Sequence, residues 1–281
     1  MEESSENLFS GTKPPDIFIK QEVIEQEKKI YLKTPEEKRL ETEEIKVDEN
    51  GNKLIKELKG GVNKVYTIKF KNGGLGIFKP KSGEAFTATE TLPGSQRERA
   101  AYLVNKFLGF DLIPTTVIRE IDGEIGSLQE FIPDTKAYDG ELDKFSLIDL
   151  GLLDYINFNR DRHPANLLTE KTNNKKIHAI DNGLTFTKIK MLGGGFIKDY
   201  PDVVKIRDII FCDTPIPENT RERIEEFLSN KEKKELLRGS LSELLGHNNT
   251  EACFKRIEKV GQFAKKGKIE TTDLLEKMTF E

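Results

Sequence analysis

Cysteine is scarce in this chain: Cys212 and Cys253 are the two it has among 281 residues, and neither stands in a metal-ligand spacing. That argues against a disulfide-stapled fold or a zinc module, and fits free thiols in a reducing compartment. No apolar run approaches the roughly 20 residues of a membrane-spanning helix, so no transmembrane segment is expected. The opening MEESSENLFSG has no basic stretch followed by an apolar one. No signal peptide is therefore expected, and the predicted location is the cytoplasm. A surplus of positive charge is also missing. The net charge of −4 argues against a nucleic-acid binder that works by bulk electrostatics. Internal repeats are not apparent. What is there is 36% apolar and 33% charged, enough chain for one two-lobed domain or two small ones, with a sizeable core and a highly charged surface.

Residues 1–50 are dominated by Glu, Lys and other polar residues, with an early break at Pro14-Pro15. They read as a charged, partly disordered arm in which Pro35 could start a short surface helix. The texture then changes to strands at 54–58, 65–70 and 75–79, with Lys71-Asn-Gly-Gly74 as a tight hairpin turn. Gly60-Gly61 sits between the first two strands. Backbone without side chains there can close over phosphates, or simply turn a hairpin. Lys79 ends the third strand and Pro80 stops it, so the lysine either points inward or is a solvated edge residue.

Ser95 to Gly109 reads as a helix whose apolar face is Ala100, Ala101, Leu103, Val104, Phe107 and Leu108. Glu98 lies one turn in and has two readings. It could pair with Lys79, or Ser95-x-x-Glu98 could be a capping box. Strands at 116–121 and 125–131 follow, joined by Asp122-Gly123. Residues 51–132 thus form one predicted lobe, an antiparallel sheet with one helix. Residues 133–281 form a second, mainly helical lobe, with helices at 145–158, 218–229, 240–245 and 250–265.

The second lobe contains a long polar run, NFNRDRHPANLLTEKTNNKKIHAIDNGLTF from Asn157 to Phe186. Asp161 is followed five positions later by Asn166, and then by Asp181-Asn-Gly183. Between them Leu167–Thr169 and Ile177–Ile180 are β-compatible runs around a turn. Pairing these runs brings Asn166 and Asp181 to the same end of a hairpin. Kinases build a phosphoryl-transfer centre from such parts: one Asp takes the acceptor's proton, while the Asn and a second Asp hold metal against the phosphates. His163 could assist proton transfer or make a structural hydrogen bond.

Five strings carry a resemblance: Ile77–Lys81, Arg97–Val104, Ile125–Phe131, Asp161–Asn166 and Ala179–Leu184. Together they resemble the phosphatidylinositol 3-/4-kinase-like superfamily, and within it the type II phosphatidylinositol 4-kinases and their plant gamma relatives. The Asp-Arg-His and Asp-Asn-Gly strings are also similar to secretory-pathway protein kinases of the Fam20 kind. The resemblance covers roughly residues 55–190. It implies a two-lobed α+β, protein-kinase-like fold and phosphoryl transfer from ATP with Mg2+ or Mn2+. It implies Lys79 on the nucleotide phosphates with Glu98 as its partner, Asp161 as the catalytic Asp, and Asn166 and Asp181 as metal ligands. Gln129, Glu130, Phe131 and Ile132 would form the adenine hinge, and Gly60 and Gly61 the phosphate loop. The cysteine-rich palmitoylated insert of the type II lipid kinases has no counterpart here, and no basic amphipathic stretch stands out. A protein hydroxyl is therefore the expected acceptor, with phosphatidylinositol as one alternative and a pseudokinase without turnover as another.

Overall fold

The computed structural model describes residues 33–59, 63–84, 92–138, 144–159, 161–172, 176–186 and 215–269. The chain divides into Met1–Lys33 and Thr34–Glu281, and the fold is that of the second part. Its first layer is a five-stranded antiparallel sheet. Strands β1 (Ile55–Leu58), β2 (Val65–Lys69), β3 (Leu75–Pro80), β4 (Thr116–Ile121) and β5 (Glu124–Glu130) lie in the order β1-β2-β3-β5-β4. Two turns set the register. Gly73 and Gly74 take positive φ between β2 and β3, and Asp122 (φ 53°) with Gly123 (φ 82°) forms the two-residue turn between β4 and β5. Gly126 faces Pro80 across the sheet, where an added Cβ would stand 2.3 Å from the Lys79 carbonyl oxygen. Only glycine allows β5 to pass that close to the end of β3.

The sheet's core is Ile68, Phe70, Phe78, Val117, Ile121 and Leu128, closed by Leu40. Leu40 belongs to helix α1 (Pro35–Thr42), which starts at Pro35 as expected but buries Glu37 and Leu40 instead of lying free on the surface. Two local features make the helix: Pro35 at its first position and a complete capping box between Thr34 and Glu37. Burial of Leu40 then contributes about 2 kcal/mol, and Ile45 adds an isolated bridge to Phe70 at the edge of the sheet. One leucine among charged residues does not register in composition, but its position decides where the segment goes.

Helix α2 (Gly94–Leu108) ends at Gly109, in the left-handed region at φ 72°, as the apolar face and the glycine predict. It packs on β4 and β5. Strand β6 (Thr135–Ala137), which the sequence did not suggest, pairs with β7 (Leu167–Glu170), and β7 pairs with β8 (Ile177–Ala179). Helix α3 (Lys144–Asn157) leads into the polar run, whose Pro164–Asn166 forms a single 3-10 turn. Among the described residues the tail has three helices, α4 (Glu218–Ser229), α5 (Lys231–Leu245) and α6 (His247–Lys266). Helix α6 packs on α3, α4 and α5, while α5 packs on α2. Cys253 is fully buried, and burial pushes its thiol up to about 11, so it is an inert core residue. Cys212 and the glycines 193–195 lie outside the described residues. Among the described residues no helix is long and apolar enough to cross a membrane.

Candidate functional site

Strand parity places the lysine. Along β3, Gly76, Phe78 and Pro80 are buried, with Phe78 in the core, so Lys79 stands on the opposite face. Its Nζ lies 2.5 Å from Glu98 Oε1 and 3.0 Å from Asp181 Oδ1. Three distant parts of the chain, a strand end, a helix and the loop after β8, thus converge on one ammonium. The Lys79 side chain is 19% exposed and that of Glu98 only 3%. Burial works against the charged lysine, but Glu98 and Asp181 outweigh it and hold its pKa above the ordinary lysine value.

The two readings of Glu98 separate here. Helix α2 starts at Gly94, so Ser95 is already inside it and makes no cap; the N-cap Pro93 has no side-chain oxygen to offer. The capping is done by Glu84, whose carboxylate accepts from the Gly94 N–H (2.7 Å) and the Ser95 N–H (3.0 Å). An anion at a helix N-terminus is also favoured by the helix dipole. Glu98 is left free for the lysine. Neighbouring Arg97 is buried, and burial lowers its pKa against the attraction of Glu84 and Glu98.

Asp161, Asn166 and Asp181 form a second cluster. Ile180 donates its backbone N–H to the Asn166 carbonyl (3.0 Å), which closes the β7–β8 hairpin and sets Asn166 beside the start of the Asp181 loop. The Asn166 amide nitrogen donates to the Asp161 carbonyl (2.9 Å), leaving the amide oxygen as the atom able to face an ion. Asp181 sits at φ 53°, a left-handed conformation costing on the order of 1 kcal/mol, held by its neighbours. The Lys79 ammonium depresses the Asp181 pKa against the opposing effect of burial. Asp161 is shifted the other way. Burial pushes it up and Asp181 adds to that, while His163 opposes. His163 Nε2 is 3.9 Å from Asp161 Oδ2, beyond direct hydrogen-bond reach, and is about one-third exposed.

The hinge run divides. Gln129 is built into the sheet between Ile77 and Thr116, and its side-chain amide donates to Thr116 Oγ1 (2.9 Å). Glu130 and Phe131 still donate their backbone N–H groups, to Thr115 and Leu75 respectively, and the chain leaves the ladder at Ile132. Gly60 and Gly61 lie outside the described residues.

The residue that sequence reasoning passed over is Arg162. It is 3% exposed and makes five hydrogen bonds. Two go to Asp154 (2.9 and 3.0 Å), two to the carbonyls of Asn166 (2.9 Å) and Ile180 (2.8 Å), and one to Asn182 Oδ1 (2.6 Å). It therefore ties both ends of the hairpin to α3. A signal existed: Asp149 and Asp154 interrupt an otherwise apolar helix, and acids in that setting need cations. Asp149 finds Arg223 of α4 (2.7 Å). Arg256 of α6 donates to the Ile156 carbonyl (2.7 Å) and lies over the Phe158 ring (5.3 Å), bracing the turn before Asp161.

No protein-family model matches the chain, and no curated protein matches it in sequence. Solved structures do match in shape. A crystal structure of the Golgi casein kinase aligns with a TM-score of 0.54 and 18% identity, over 82% of this chain and 74% of that one. A second, of the same kinase with Mn/ADP bound, gives 0.52 and 18%, over 81% and 74%. The fold is kinase-like. A mixed α/β chain with an antiparallel N-terminal sheet and a helical C-terminal part is what the sequence predicted. The finer resemblance, to lipid kinases of the phosphatidylinositol 4-kinase type, gains no support from these structures.

Proposed function

We propose that this chain is a metal-dependent kinase that transfers the γ-phosphoryl group of ATP to a hydroxyl on a protein. The observation that carries the reading is the meeting of Lys79 with both Glu98 and Asp181, beside the Asp161–Asn166 loop. A structural ion pair needs no third member from a strained loop. Lys79 would orient the nucleotide's phosphates, with Glu98 fixing its direction. Asp161 would orient the acceptor hydroxyl and take its proton as the new O–P bond forms and the bond from Pγ to the β,γ-bridging oxygen breaks, releasing ADP.

The donor set fits a hard divalent cation. Asn166 offers an amide oxygen, and Asp181 keeps a second carboxylate oxygen beyond the one on Lys79. Among the described residues no three His, Cys, Asp or Glu side chains form a metal cluster, so phosphate oxygens would complete the coordination. Bound there, Mg2+ or Mn2+ would neutralise the charge that develops between the β- and γ-phosphates. The Golgi casein kinase, a protein kinase solved with Mn/ADP, supports both the metal and a protein acceptor as the reading to test.

Lys79, Glu98, Asp161 and Asp181 together carry three carboxylates and one ammonium, a poor welcome for a polyphosphate without cations. ATP is therefore expected to bind weakly without divalent metal and at least about tenfold more tightly with it, because like charges at these distances repel. Calorimetric titration checks this, and equal affinity without metal would refute it. The functional test is labelled ATP with Mg2+ or Mn2+, offered to the protein alone, to generic protein substrates and to phosphoinositide vesicles. Label on protein supports the proposal, and label on lipid alone moves the acceptor to phosphatidylinositol. Metal-dependent binding with no transfer to any acceptor makes the chain a pseudokinase.

A further inference from the structure

Helix α1 lies outside the stretch with recognisable motifs, yet it grips the helix that presents Glu98. We propose that Glu37 is a positioning residue for the Lys79–Glu98 pair, and that α1 is a built-in clamp on α2. This rests on the kinase reading for its consequence, but the clamp itself is geometric.

Glu37 has no exposed surface, and its carboxylate is fully engaged. Its Oε1 accepts from Arg99 Nη1 (2.8 Å), and its Oε2 accepts from the Thr34 N–H (2.9 Å) and from Lys106 Nζ. Arg99 and Lys106 are seven residues apart on α2, two turns or about 10 Å of axis. One carboxylate held by both fixes the rotation of α2 and its position along its own axis. Arg99 directly follows Glu98, so a rotation that swings Glu98 away from Lys79 also pulls Arg99 off Glu37. Tyr102 fills the space between, with the Arg99 and Lys106 cations 5.3 and 5.9 Å from its ring centroid.

The clamp is referenced to the sheet at both ends. Arg99 also donates to the Thr116 carbonyl at the start of β4 (2.6 Å). Arg119, further along β4, donates to the carbonyls of Leu40 (2.7 Å) and Glu43 (2.8 Å) at the end of α1. Stability alone is a poor reason for such an arrangement, because well-packed apolar side chains of similar volume often do as well as a buried ion pair. What apolar packing does not supply is a single rotational setting of α2, and that setting puts Glu98 at 2.5 Å from Lys79.

The test is a double-mutant cycle on the full chain: wild type, Glu37→Gln, Glu98→Gln and the double variant, with turnover and melting read for each. Glu37→Gln is expected to lower turnover at least about tenfold, since small misplacements of catalytic groups carry large rate costs. In the Glu98→Gln background it should cost almost nothing more, because the group it positions is already gone. Independent, multiplicative losses would mean that Glu37 only supports the fold, and would overturn the proposal. Glu37→Asp keeps the charge but reaches one cation at a time, and should show the same non-additivity if Glu37→Gln fails to fold. Hydrogen exchange gives a readout without turnover: amides of α2 should lose protection in Glu37→Gln while those of β2 and β3 keep it. A wild type that transfers no phosphate defeats the kinase reading, and the exchange result then decides the clamp. Unchanged α2 protection overturns it.

Discussion

Asp161→Asn is expected to abolish transfer while leaving metal-ATP affinity near wild type, and Asp181→Asn is expected to damage both. The two carboxylates share one site but face different work. Asp161 is held through its own backbone by two side chains, its N–H donating to Asn159 Oδ1 (2.9 Å) and its carbonyl accepting from the Asn166 amide (2.9 Å). Its carboxyl is shifted up by burial, as suits a group proposed to take a proton. Losing it removes general-base assistance, typically about 100- to 10,000-fold in rate. Asp181 is drawn the other way by the Lys79 ammonium, which keeps it ionised, as the proposed role of metal ligand requires. Its amide replacement offers metal and lysine a neutral oxygen where a charge stood, so affinity and rate should fall together. Paired measurements of metal-ATP affinity and transfer, under identical conditions, separate the roles. Wild-type transfer by both variants would end the kinase reading.

Arg162→Met is expected to cost about 3–5 kcal/mol of stability and nearly all transfer. Its removal leaves Asp154, about nine-tenths buried, without the guanidinium that neutralises it, and a buried unpaired charge is among the costliest single defects. It also releases the Asn166 and Ile180 carbonyls, the two ends of the hairpin that bears the proposed metal ligands. A second variant tells stability from positioning. In Arg162→Met with Asp154→Leu no buried charge remains, and most of the stability should return in a urea titration. Transfer should not return, because nothing ties the hairpin to α3. Recovery of both would show that Arg162 acts only by neutralising Asp154.

The local part of this architecture was legible. Alternation gave β2 to β5 within a residue or so, the apolar face of α2 was read residue by residue, and the β7–β8 pairing that joins Asn166 to the Asp181 loop followed from two short runs and a turn. What escaped reading depends on contacts between distant segments. Whether Glu98 was a cap or a partner hinged on Glu84, which lies before the helix and carries no sign of reaching its N-terminus. The capping box suspected at Ser95 was real chemistry at the wrong address, and it stands instead at Thr34–Glu37. Arg162 stands between Asp161 and His163 in a charged run, and nothing in the local sequence marks it as the buried member. Pro35 marks the start of helix α1, but its packing on the sheet leaves no trace in composition, since one leucine and one buried glutamate disappear in a charged background.

The packing of α2 against α5 has a consequence for how the protein is made. Helix α2 is complete at Leu108, but its partner ends at Leu245. At about 5 to 20 residues per second, a nascent chain waits roughly 7 to 27 seconds between the two. Within that interval β4, β5 and every later residue of the proposed chemistry are made, while the surface of α2 that α5 covers still waits for its partner. Arg223, which reaches back to the Gly109 carbonyl (2.7 Å), arrives in the same late stretch. A fragment ending at residue 214 should therefore aggregate or be held by chaperones, although it contains the whole candidate site. If that fragment stayed soluble and active, the tail would be dispensable. Otherwise translation itself delays assembly, and a half-made chain lacks the packing of α5 on α2 until late in its synthesis.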